Sequence, residues 1–236
     1  MSDHELRHEG QLSMTGSLTV RMRSYFSSDY LWAAIHFAEQ AKAIEAQHSG
    51  PSRKDQTHRA YVIGAIVESC AGLEAAINEV FVDVSEREGS YVGPLSDDAK
   101  RLLKWQWDFG KADRLPVLDK YNAVLVAAAK EPFDSGTQPY QDTVLLIALR
   151  NYLMHYKPHW VGEDLPHRLE ARLKGAGFAV NAMMTGSGNA FFPDHALGAG
   201  CAVWATSTVR KFLDEFCLQS GLNLNYQRVI DAAQEH

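Results

Sequence analysis

Between Lys54 and Val84 the apolar residues Val62, Ile66, Cys70, Leu73, Ile77 and Val80 recur at intervals of three and four. That is the spacing of one helical face, and it predicts a long helix with a narrow apolar stripe close to a heptad seam. A segment of this length commits the chain to packing helices against one another, because the stripe needs partners of the same kind. The opposite side of the helix carries Val67, Ala71, Glu74 and Asn78 at i+4, i+3 and i+4, so an acid and an amide share a face with small residues.

The rest of the chain reads the same way. Leu31, Ala34, Ile35, Ala38, Ala41 and Ile44 form one face of a helix from Asp29 that stops near His48, before Ser49, Gly50 and Pro51. Leu102 to Phe109, with Trp105 and Trp107, reads as a short helix or an irregular apolar segment. Another helix follows Pro116, which suits a first turn, and carries Leu118, Tyr121, Val124, Leu125 and Ala128. Thr143 to Tyr156 forms a helix closed by Pro158. Trp160 to Gly200 is mostly irregular, with a short helix at Leu165 to Leu173. Cys201 to Leu218 is amphipathic through Cys201, Trp204, Thr208, Phe212 and Phe216, and Tyr226 to Ala233 is a short terminal helix. Strand-like alternation is scarce, so the expected class is all-α, with five or six helices. Residues 1–25 are read as a frayed polar arm and residues 26–236 as one helical domain with long loop insertions.

Composition narrows the function. Among 236 residues, 23 Lys and Arg stand against 29 Asp and Glu, a net charge of −6, which argues against a general nucleic-acid coat but not against a local RNA site. The neighbourhood of residues 150–174 is the most basic near any motif, with Arg150, Lys157, Arg168, Arg172 and Lys174 beside His155, His159 and His167. Cys70, Cys201 and Cys217 are odd in number and lie in apolar stretches, as buried free thiols of a reducing compartment do. No basic start followed by an apolar run marks a secretory leader, and no run of apolar residues is continuous enough to span a bilayer. The expected location is the cytoplasm.

One helix carries chemistry. Within Thr143–Tyr156, Leu145, Leu146, Leu149, Leu153 and Tyr156 are expected to face the core, leaving Arg150, Asn151 and His155 on the other side among Ile147, Ala148 and Met154. Histidine titrates near neutrality and serves as acid or base, while arginine stays charged and matches phosphate oxygens. Asn151, four residues before His155, is placed to orient it or the phosphate. Lys157, His159 and Tyr156, just past the motif, are candidate substrate contacts, and Glu74 and Asn78 are auxiliary candidates that shape the site. A zinc site through His155 and His159 is disfavoured because Pro158 breaks the helix between them and further ligands are missing.

The run Arg150-Asn151-Tyr152-Leu153-Met154-His155 resembles the R-x4-H motif of the HEPN superfamily, the higher eukaryotes and prokaryotes nucleotide-binding domains. What the resemblance implies is an α-helical bundle and a metal-independent endoribonuclease. Its composite site forms where two protomers bring their motifs together, and it leaves 2′,3′-cyclic phosphate ends. It implies no cofactor and no metal, RNA as substrate, a homodimer, and an antitoxin or other protein partner of the kind found in toxin–antitoxin and phage-defence systems. The competing class is a non-catalytic helical dimerisation module, such as an accessory protein of a mobile element. In that class Arg150 and His155 merely tie the bundle together through Glu68 or Glu74.

Overall fold

The computed structural model describes residues 24–86, 91–158, 160, 167–224 and 226. Among them the chain is all-α, with no strand. Its helices are α1 (Ser27–Gln47), α2 (Gln56–Glu86), α3 (Asp97–Asp108), α4 (Val117–Ala127), α5 (Tyr140–Met154), α6 (Glu170–Gly175) and α7 (Ala199–Ser220). The His159 candidate and most of the expected terminal helix, after Tyr226, lie outside the described residues, as do residues 1–23 of the expected arm.

α2 is the axis of the fold. Every residue of its stripe, from Val62 to Val80, is buried, whereas Val67, Ala71, Glu74 and Asn78 are half-buried. Among the described residues it alone is long and apolar enough to cross a membrane by length and composition, and half of that apolar stretch is buried within the protein. α1 lies antiparallel along it, and two glycines let the backbones approach. A Cβ on Gly64 would sit 2.7 Å from Phe37, and one on Gly72 would sit 2.7 Å from Leu31. α7 covers α1 and α2 with Cys201, Ala205, Val209, Phe212 and Phe216, all buried, and α4 meets it edge-on where Tyr121 packs 4.9 Å from Phe212 and 4.7 Å from Phe216. The Tyr121 hydroxyl donates to the carbonyl of Leu73 at 2.7 Å, which pins α4 to the middle of α2.

α1 and α7, whose N-caps are Phe26 and Gly198, are among the helices that begin without a side-chain cap of their own. A free helix N-terminus exposes backbone donors that need acceptors. Distant carboxylates supply them. Glu79 on α2 accepts from the Ser27 amide at 2.9 Å and the Ser27 hydroxyl at 2.7 Å. Glu45 on α1 accepts from the Ala199 amide at 2.7 Å and pairs with the buried His58 at 2.9 Å.

The fold differs from the sequence reading in its details: the described residues hold seven α-helices where five or six were expected, and the short helix expected at Leu165 to Leu173 is Glu170–Gly175. α3 starts at Asp97, ahead of the expected segment, because Ser96 caps it by accepting from the Ala99 amide at 3.2 Å. The segment between α6 and α7 is organised by Asn181, whose side chain bonds the carbonyls of Asp194 and Leu197 and the amide of Met183. α5 ends at Met154 rather than Tyr156. Pro158 has no N–H to continue the ladder and disfavours helical backbone at the residue before it, so the helix stops two residues short of the expected end. Tyr156, expected in the core, is 57% exposed.

Candidate active site at the end of α5

α5 is anchored by Thr143, Leu145, Leu146 and Leu149, all buried, and its last turn emerges into solvent. Leu153, expected among the core residues, is only half-buried for the same reason. His155 is the C-cap of the helix. Its amide donates to the Asn151 carbonyl at 3.0 Å, so the motif keeps helical register up to the imidazole. Asn151 and His155 are both exposed. Large apolar side chains close by in sequence are exposed too, Met154 and Tyr156 at 57% and Trp160 at 90%.

Arg150 points the other way, toward α2. Its guanidinium lies 3.6 Å from the Glu74 carboxylate and also reaches the Cys70 thiol. Burial pushes that thiol up to about 11, against the opposing pull of Arg150, so Cys70 stays protonated near neutrality and acts as a packing group. Cys201 is pushed up to about 12 by burial alone. All three cysteines are free, with Cys217 half-buried.

The structure thus brings Glu74 to Arg150, the contact that the non-catalytic reading expects, and leaves His155, which that reading also ties to an acid of α2, exposed at the helix end. Asn78, one turn further along α2, is engaged from another side. Its carbonyl oxygen accepts from the Lys120 ammonium at 2.8 Å. Lys120, on α4, is 1% exposed and was invisible to sequence reasoning, because it falls between the apolar residues Leu118 and Tyr121 on an otherwise ordinary helix. The bond fixes the Asn78 amide with its NH2 group turned away from Lys120.

Behind the motif, Tyr152 is held in an aromatic cluster. Its ring packs 4.4 Å from His167 and 5.2 Å from Phe192, and Tyr156 meets it edge-on at 5.7 Å. Burial raises the Tyr152 hydroxyl, so it remains a neutral donor. Lys157 is exposed beside this cluster. Among the described residues, no three His, Cys, Asp or Glu side chains converge as metal ligands would.

The open end of α5 thus presents an amide and an imidazole, Asn151 and His155, while the arginine of the motif is turned to Glu74 on α2. Comparison with protein families finds no matching family, and no curated protein and no solved structure matches the chain.

Proposed function

We propose that this chain is a metal-independent endoribonuclease of the HEPN type, acting as a homodimer in the cytoplasm as a toxin or phage-defence effector. The observation that carries the reading is the solvent-facing end of α5. Asn151 and His155 are exposed there, close in sequence to exposed Met154, Tyr156 and Trp160, while Arg150 leaves the same helix toward Glu74. Large exposed apolar groups with polar ones beside them are what a protein interface covers. Two copies joined through it would bring two such motifs together.

The chemistry needs both copies. One imidazole takes the proton of the 2′-hydroxyl as its oxygen attacks phosphorus, and the bond from phosphorus to the 5′-oxygen breaks. The imidazole of the second copy gives that leaving oxygen its proton. The products are a 2′,3′-cyclic phosphate and a free 5′-hydroxyl, with no net redox change. Arg150 steadies the negative charge that builds on the phosphorane, and Glu74 holds its guanidinium in place beforehand.

The test is cleavage of a mixed pool of labelled RNAs in excess EDTA by wild type beside His155→Ala, with the fragment ends identified. Fragments ending in 2′,3′-cyclic phosphate from wild type alone support the reading. Equal cleavage by both proteins removes His155 from the site. No cleavage by either moves the weight to the non-catalytic dimerisation module.

A further inference from the structure

α3 lies against the C-terminal end of α2 and opens a cleft of about 410 Å³ lined by Val84, Val92, Gly93, Asp97, Lys100, Arg101 and Lys104. Lys100, Arg101, Lys104 and Asp97 line it, and Asp98 and Asp108 of the same helix stand beside them. Lys100 is half-buried and makes no ion pair among the described residues. Arg101 and Lys104 are balanced by their own helix neighbours, Asp98 for the first and Asp108 at 2.7 Å for the second. The Arg101 pair is largely exposed and the Lys104 pair only partly covered, so both are weakly held and exchangeable for another anion.

The outer edge of α3 is aromatic where a soluble helix is normally polar. Trp105 is 59% exposed and follows Arg101 by four residues on the same side of the helix, and Phe109, the C-cap, is 73% exposed at its end. Positive charge along a groove beside exposed rings on which bases stack is the arrangement that holds single-stranded nucleic acid.

The cleft also lies on the side of α2 that carries Glu74, the partner of Arg150. Lys104 reaches the Ser85 hydroxyl at 3.3 Å, while Arg150 reaches Glu74. Ser85 follows Glu74 by three turns, which returns it to within about 20° of the same side of α2 and about 16 Å along its axis. Asn78 lies between them on that side.

We infer that the α3 cleft and its aromatic edge are a second contact site for the RNA strand, phosphates on Lys100, Arg101 and Lys104 and bases on Trp105 and Phe109. RNA, as the particular nucleic acid, rests on the ribonuclease reading.

The experiment measures fluorescence anisotropy of a labelled oligouridine of about twelve nucleotides, within the span one such groove covers. It uses the full chain carrying His155→Ala so that the probe is not consumed. The expected result is a Kd raised about tenfold or more by Lys100→Gln with Lys104→Gln, with a shallower salt dependence, and a similar rise for Trp105→Ala. Asp98→Asn, which releases Arg101, should tighten binding. Urea unfolding of each variant, all at exposed or half-buried positions, confirms that the fold is kept. Unchanged affinity in these variants overturns the inference, as does absence of binding by the parent protein. A Trp105→Ala variant that lowers the molecular mass in solution and leaves RNA affinity alone overturns it too, marking the edge as a protein contact. Failure of the catalytic reading is seen separately, as cleavage that persists in His155→Ala.

Discussion

Arg150 and His155 belong to one motif but to different environments, and this difference predicts different losses. His155→Ala removes an exposed side chain at a helix end. It should abolish RNA cleavage while moving the urea midpoint little. Arg150→Ala should lower kcat/KM by the equivalent of about 3 kcal/mol, the scale of one lost charge-stabilising donor. Glu74→Gln separates the site from a structural strut. Both partners of the ion pair keep solvent access, so the substitution should change stability by less than about 1 kcal/mol. A larger loss, measured by urea unfolding, would make the pair a tie of the bundle.

At the scale of elements, the two carboxylates that cap distant helices answer pH in opposite directions. Burial pushes the Glu45 carboxyl up, but the His58 and Ala199 hydrogen bonds, the charge of His58 and the Ala182 amide outweigh it, and the group titrates below its ordinary range. Its contribution is present above the unfolded value of about 4.3 and fades as pH falls through the lower folded value. Glu79 is the reverse. Burial raises it, Ser27 opposes, and the neighbouring Asp83 adds to the rise. Its contribution is full below about 4.3 and is lost as pH rises through the raised folded value. Thermal unfolding followed across mildly acid pH should show Glu79→Gln flattening the loss on the alkaline side. Glu45→Gln should flatten the loss on the acid side and cost about 1–2 kcal/mol at neutral pH as the α7 cap weakens.

The same elements show what the sequence disclosed. The α2 stripe was legible because burial follows a period that residue types record. The Glu74–Arg150 contact was legible as one of two alternatives, since Glu74 stands on the polar side of α2. Lys120 was not, because a lysine between core positions reads as a solvated one until the packing of α4 on α2 is known. The exposed edge of α3 was hidden for the converse reason. Leu102, Trp105 and Phe109 have core composition, and only the neighbouring helices decide that Leu103 goes inside and they remain out. The early end of α5 was written in Pro158, whose reach extends back a full turn.

For the whole molecule, the exposed end of α5 predicts a dimer. Light scattering on the purified chain should give twice the monomer mass, and Met154→Asp with Trp160→Asp should return it to the monomer and remove cleavage together. Loss of cleavage in a variant that stays dimeric would separate the interface from the site.

The cap that Glu45 places on Ala199 also sets a timetable. The face of α1 and α2 that α7 covers is made early in synthesis, and its cover comes roughly 110 residues after α2 is complete. At about 5–20 residues per second a nascent hairpin carrying Leu31, Ile66 and Leu73 spends on the order of 6–20 s without its third layer. Truncated chains that stop before α7 should therefore bind holdase chaperones, and the release of the full chain should coincide with the docking of its last long helix.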